Sequence, residues 1–270
     1  MEITIIGCGN MGLIYARAFL KYNIVSKSEL LLVEKNDKRK EELTKLDIGK
    51  VVVPVDGTIK QSDVIILAVK PQDFSELICD LKTVLSKETI LISIMAGVSI
   101  SSLQQKLQHD RIIRAMPNSP VEIGMGITAY CLSKGVSAEQ ARKAENLLST
   151  TGRTLYMEDE NLMDAVTAIS GSGPAYFFYF AQQMIEAGMK MGFDESTASL
   201  LVKQTMLGSF HLLNSAGKPL NELIKAVASK GGTTEAALTT FEKYQVGEYL
   251  QEGWLNARKR GKELAEMVNK

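Results

Sequence analysis

The residues best equipped by type and spacing to do chemistry lie late in the chain. Val227-Ala228-Ser229-Lys230-Gly231-Gly232-Thr233-Thr234-Glu235 reads as a hydroxyl-rich loop opening into a helix. Gly231 and Gly232 let the backbone turn and approach a ligand, and the free N–H groups of a first helical turn attract an anion. Ser229, Thr233 and Thr234 add hydroxyl donors. The same pattern also describes a plain helix start, with Thr233 or Thr234 as its cap and Glu235 in the first turn, so both readings stand. Ser170-Gly171-Ser172-Gly173-Pro174 is a second glycine- and serine-rich stretch before a helix, and is expected to form another anion-friendly nest.

At the opposite end, Ile3–Ile6 runs into Gly7-Cys8-Gly9-Asn10-Met11-Gly12 and then into the helical pattern Leu13–Leu20. This is G-x-G-x-x-G after a strand and before a helix, the setting of a dinucleotide fingerprint. Gly7 serves the tight turn, Gly9 the approach of the backbone to a pyrophosphate, and Gly12 close helix–strand packing. Glu34 follows the second strand, 22 residues past Gly12. An acid there accepts hydrogen bonds from the adenosine ribose and favours NADH, whereas Lys35, Asn36, Lys38 and Arg39 close behind would suit NADPH. Three more stretches, Ala68-Val69-Lys70-Pro71, Met95-Ala96-Gly97 and Met116-Pro117-Asn118-Ser119-Pro120, fall at strand ends where such sheets bind ligands.

These positions need a scaffold, and the hydrophobic pattern supplies one. Short apolar runs at Ile3–Ile6, Leu30–Val33, Val51–Val53, Val64–Val69, Thr89–Ile94, Arg111–Ala115, Ile127–Leu132 and Thr154–Met157 alternate with helical segments. Several are continuous rather than alternating, as in a parallel sheet covered on both faces. The expected fold is therefore α/β, an N-terminal Rossmann-type doubly wound domain over residues 1–157. Residues 158–270 read as helices only: Leu162–Ile169, Pro174–Lys190, Ser196–Ser215, Leu220–Ser229, Thr234–Lys243 and Gly247–Val268. Tyr176–Phe180 is apolar on nearly all sides, which predicts a helix buried on several faces, and Met184, Met189, Met191 and Met206 read as core or interface filler. An all-helical half of this kind is expected to be a dimerisation domain.

Composition narrows the partners. Lys and Arg total 31, as do Asp and Glu, and that balance argues against nucleic acid or an anionic membrane. No apolar run reaches the ~18 residues of a membrane span, and a cytoplasmic location is expected. Cys8, Cys79 and Cys131 are scattered, and Cys8 reads as a small filler within the glycine loop; His109 and His211 read as surface or packing residues. No metal-ligand cluster, catalytic histidine or carboxylate pair stands out, so hydrolysis is disfavoured. Hydride transfer needs none of them, because the cofactor carries the reaction.

Taken in order, Gly7–Gly12, Ala68–Pro71, Arg114-Ala115-Met116-Pro117-Asn118-Ser119-Pro120, Ser170–Tyr176 and Ser229–Leu238 resemble the pyrroline-5-carboxylate reductases over essentially the whole chain. The resemblance implies reduction of 1-pyrroline-5-carboxylate to L-proline with NADPH or NADH, in homodimers that assemble into decamers, the active site being completed across the dimer interface. It places Asn10, Met11, Glu34, Lys70 and Ala96 on the cofactor. Ser229, Gly231, Gly232, Thr233 and Thr234 fall on the substrate's carboxylate and ring nitrogen, with Thr234 facing the imine nitrogen, and Glu160 is an acid near the substrate. Lys230 departs from a usual proline, Ala226 from a common asparagine, and Val55-Asp56 from a cofactor-contacting asparagine. The competing readings are a reductase of another small cyclic imine or carboxylate, and a non-catalytic dinucleotide sensor.

Overall fold

The computed structural model describes residues 1–52 and 57–269; Val53, Val55 and Asp56, singled out above, lie outside the described residues. The strands are β1 (Ile3–Ile6), β2 (Leu30–Val33), β3 (Lys50–Val52), β4 (Val64–Leu67), β5 (Ile90–Ser93), β6 (Ile112–Met116), β7 (Gly126–Leu132) and β8 (Gly152–Tyr156). The helices are α1 (Asn10–Lys21), α2 (Asp37–Leu46), α3 (Phe74–Val84), α4 (Ile100–Leu107), α5 (Ala138–Ser149), α6 (Met163–Val166), α7 (Gly173–Lys190), α8 (Glu195–Ser215), α9 (Leu220–Val227), α10 (Thr233–Lys243) and α11 (Val246–Asn269).

The strands form one sheet in the order β3-β2-β1-β4-β5-β6-β7-β8. Its first six strands have the order of a doubly wound nucleotide fold, with the chain reversing direction of travel between β1 and β4. Alternate residues serve opposite faces: Ile3, Ile5, Val64 and Ile66 join Tyr15, Phe19, Leu43 and Leu147 in one core, while Ile6, Ile65 and Leu67 join Phe74, Leu81 and Leu103 in the other. Burial on both faces is why these strands read as unbroken apolar runs. The sheet is parallel except between β6 and β7, which pair antiparallel. Only residues 117–125 link those two strands, too short for a parallel crossover, so β7 and β8 run opposite to the rest.

Two compact units emerge: Met1–Ser172 together with the chain from Ala257 on, and Gly173–Asn256. Within the first, the last turns of α11 lie against the end of β5. A side chain at Gly97 (φ +76°) would meet the Ala265 backbone at 3.2 Å. The second unit is built on the α7–α8 pair, which closes at Gly188 and Ala198 and stacks Phe177 on Phe210 edge-on at 5.4 Å. It buries little: Gly173, Ala198 and Val202 are its buried residues among those described. Phe178 is 70% exposed and Met191 79%. Tyr176–Phe180, expected to be enclosed, is thus largely open in a single chain: Phe177, Phe178 and Tyr179 are exposed.

Thr167–Gly171 is a π-helix lying between α6 and α7. Ser170–Gly173 therefore does not form the expected open nest; its backbone is wound into a helical run, with Ser172 N–H donating to the Thr167 carbonyl at 2.9 Å.

His109 is a packing residue, buried and held at 2.8 Å from the Thr89 carbonyl. Burial holds its pKa below the ordinary imidazole value. Below about pH 6.5 the unfolded chain takes up a proton that the folded chain resists, so stability falls as pH falls through this window. In His109→Gln, thermal unfolding below pH 6.5 should depend less on pH than in the parent; an equal slope would remove His109 from the acid response.

Candidate active site

The glycine turn follows β1 at the reversal point of the sheet. Gly7 has φ +91°, and a side chain on it would lie 2.7 Å from the Val69 backbone. Its N–H donates to the Val33 carbonyl at 2.9 Å, so the turn is wedged between the ends of β2 and β4. Gly12 is tighter still: a Cβ there would stand 2.3 Å from the Gly7 carbonyl oxygen. Gly9 is the opposite case, with nothing within 4 Å of a Cβ. It is the N-cap residue of α1 and provides no side-chain cap. The N-terminus of α1 is thus left without a side-chain cap behind an open Gly9, an arrangement that suits a pyrophosphate.

A cleft of about 200 Å³ beside this turn is lined by Gly7, Gly9, Glu34, Lys35, Ala68, Val69 and Lys70, with Asp73 and Glu76 at its edge. The structure thus gathers these expected cofactor positions from the carboxyl ends of β1, β2 and β4. Pro71 follows directly, opening a short 3₁₀ turn. Ala96 and Asn118 sit beyond the ends of β5 and β6 and do not line this cleft. Asn118 accepts the Ile127 N–H at 3.0 Å and donates to the Ser170 hydroxyl at 3.3 Å.

The polar groups beyond the end of β2 are mutually engaged. Glu34 accepts the Asn36 N–H at 3.0 Å. Lys35 pairs with Asp73 at 2.9 Å and Glu76 at 3.2 Å, and the hydrogen bond to Asp73 raises its pKa. Arg39 donates through Nε to the Cys8 carbonyl at 3.0 Å, which fastens α2 behind the glycine loop. The Cys8 thiol is buried, and burial pushes its pKa to about 12, so it fills space as expected.

Glu160 lies in the first unit, while Ser229–Thr234 lies in the second. Its carboxylate accepts the Ile100 N–H at 2.8 Å and meets Arg114 at 3.0 Å. In the second unit, Gly231 takes φ +74°, and its N–H donates to Glu235 at 2.6 Å. The N-cap of α10 is Gly232, without a side-chain cap, and Thr233 is already the first helical residue. Neither threonine is the cap, because Glu235 reaches back over the turn and Gly232 packs against Ser229. The N–H groups of the first turn of α10 are left without a side-chain acceptor. Thr234 is half-buried at the rim of an apolar groove of about 410 Å³ with Phe210, Leu223 and Leu238.

A family model described as pyrroline-5-carboxylate reductase dimerisation matches residues 160–264, and one described as NADP oxidoreductase, coenzyme F420-dependent, matches residues 2–97. The pyrroline-5-carboxylate reductase of Haemophilus influenzae is 35% identical, the alignment covering 97% of each chain. The chain belongs to the pyrroline-5-carboxylate reductase family. Within it, the Pseudomonas aeruginosa pyrroline-5-carboxylate reductase is 39% identical over 78% of this chain and 77% of that one. A crystal structure of Plasmodium falciparum pyrroline carboxylate reductase with NADP bound superimposes with a TM-score of 0.88 at 27% identity, covering 98% of both chains.

The geometry explains why Gly7 and Gly12 are glycines. Sequence reasoning missed the buried ion pairs of Arg114, its partner Asp164, and the π-turn that carries Ser170. Charge pairs far apart in sequence leave no local pattern, and the run Ser170-Gly171-Ser172-Gly173 reads as an open nest where the structure has a π-helix.

The glycines make opposite predictions. Gly9→Val should leave the fold intact, because its φ of −66° suits any residue and the site is open. It should still abolish dinucleotide binding, because the new side chain occupies the approach to the pyrophosphate. Gly12→Ala should instead destabilise the protein by forcing α1 away from β1. Fluorescence titration with NADPH and thermal melts separate the two, and normal NADPH binding by a folded Gly9→Val protein would overturn the loop assignment.

Proposed function

We propose that this protein reduces 1-pyrroline-5-carboxylate to L-proline with NADPH or NADH, the sheet unit holding the dinucleotide and the Ser229–Thr234 loop receiving the substrate. The observation that carries this reading is the open, uncapped α1 N-terminus at Gly9 in a chain matched from end to end by pyrroline-5-carboxylate reductases. The residues present fit a dinucleotide: Gly7–Gly12 for the pyrophosphate, Glu34 and Lys35 for the ribose end, and Ala68–Pro71, Ala96 and Asn118 toward the nicotinamide. Bound there, the cofactor supplies a hydride.

The chain's own residues do the rest. The N–H groups at the start of α10, with the Ser229 and Thr233 hydroxyls, hold the substrate carboxylate. Hydride addition at C5 moves the C=N π electrons onto nitrogen, which becomes basic and takes a proton from the Thr234 hydroxyl or a water it orients. Glu160 acts indirectly in this scheme, as a partner of Arg114 and α4. Functionally, we divide the chain into a dinucleotide domain over residues 1–157 and a dimerisation and substrate domain over residues 158–270.

The helical half is a dimerisation element, and the protein is a homo-oligomer; its exposed apolar side chains on α7–α11 are the surface that self-association covers. A decamer of five dimers is the assembly we propose. No described helix is long and apolar enough to cross a membrane, and we place the enzyme in the cytoplasm.

Oxidation of NADPH or NADH on adding 1-pyrroline-5-carboxylate, followed by absorbance, tests the activity. Thr234→Ala should lower turnover roughly two- to twelvefold, the loss of one neutral hydrogen bond, while leaving dinucleotide affinity unchanged. Unaltered turnover in this variant would take the hydroxyl out of the mechanism.

A further inference from the structure

Arg114 sits in the middle of β6 and is 4% exposed. Its guanidinium spans two carboxylates, Nη1 to Glu160 at 3.0 Å and Nη2 to Asp164 at 3.0 Å. Glu160 and Asp164 are four residues apart on the turn that enters and forms α6, so one planar fork grips a single face of that segment. Glu160 also receives the Ile100 N–H that begins α4. Arg114 Nε is buried without a partner. A buried, incompletely paired base held between two part-buried acids is a poor way to add stability, since apolar residues of like volume usually do as well or better. Its geometry points to a different task.

The segment that Arg114 grips runs without a break into the π-turn. Thr167 donates its hydroxyl to the Met163 carbonyl at 2.9 Å, and Gly171 packs toward Met116, so that a Cβ on it would stand 3.5 Å from the sulfur. Ser170 thereby meets Asn118 beyond the end of β6, the same strand that carries Arg114. Asn118 is in turn fixed by Ile127 N–H. β6 therefore holds this segment at two points: through the ion pairs at Arg114, and at the strand's carboxyl end through Asn118 and Ser170. π-turns inside helices recur at functional sites because they redirect side chains that a regular helix would aim elsewhere.

We propose that Arg114 is a positioning residue for hydride transfer: by clamping Glu160 and Asp164 it sets the π-turn, and through Ser170 the orientation of Asn118 at the nicotinamide end of the sheet. This rests on the reductase reading given above. The clamp acts on alignment of the reacting groups, so its loss appears in kcat and leaves the adenosine and pyrophosphate contacts at β1, β2 and β4 untouched.

The test compares the parent with Arg114→Lys, Ser170→Ala, their combination, and the triple variant Arg114→Met/Glu160→Gln/Asp164→Asn, which removes every charge of the cluster together. The parent's activity with 1-pyrroline-5-carboxylate is measured first; an inactive parent overturns the reductase reading and the proposal built on it. With an active parent, the triple variant should melt near the parent temperature and keep its NADPH dissociation constant. Its kcat should nevertheless fall by roughly ten- to a hundredfold. A folded triple variant with parental kcat overturns the proposal and leaves the cluster a structural one. If the triple variant does not fold, the two single changes decide. A shared pathway predicts that Arg114→Lys and Ser170→Ala together lower kcat little more than the worse of the two, whereas losses that multiply overturn it.

Discussion

Everything at the ligand edge of this protein depends on the distance between Gly12 and the Gly7 carbonyl oxygen, where a Cβ would stand 2.3 Å away. No side chain fits that gap, so α1 lies directly on β1. The helix N-terminus is thereby carried to the point where the sheet reverses its order, without a side-chain cap and behind an open Gly9. The ends of β2 and β4 close on the same turn through Val33 and Val69. One steric constraint thus aligns a partial positive charge, an acid from β2 and the backbone of β4 around a single cleft.

The helical half obeys a different rule. Its helices are apolar over wide faces, yet in one chain those faces meet few neighbours, and Phe178, Met191 and Leu200 stand mostly exposed. Contiguous apolar surface of this kind marks a face that another surface covers, in keeping with the dimerisation family this half matches. The loop we propose for the substrate belongs to this half: Thr234 borders the apolar groove formed with Phe210, Leu223 and Leu238.

Much of this was legible in the amino-acid sequence, for physical reasons. Strands buried on both faces write continuous apolar runs, so β1, β2, β4 and β5 stand out, and glycine spacing marks a turn because only glycine meets its steric demands. The reversal at β7 is written only in the shortness of the connection between β6 and β7, which no residue type marks. The caps were misread at Thr233 and Thr234 because Glu235 and Gly232 compete for the same positions, a contest decided by local backbone geometry. The enclosure expected of Tyr176–Phe180 is absent within one chain, since apolarity records burial without saying by whom. The Arg114 cluster was invisible because its members lie 46 and 50 residues apart.

The central claim is that this chain delivers a hydride to C5 of 1-pyrroline-5-carboxylate. The most direct measurement supplies NADPH carrying deuterium at both C4 positions of the nicotinamide and examines the product by mass spectrometry. The account predicts L-proline bearing a single deuterium, located at C5. Unlabelled proline, or oxidation of the cofactor with no proline formed, would contradict it.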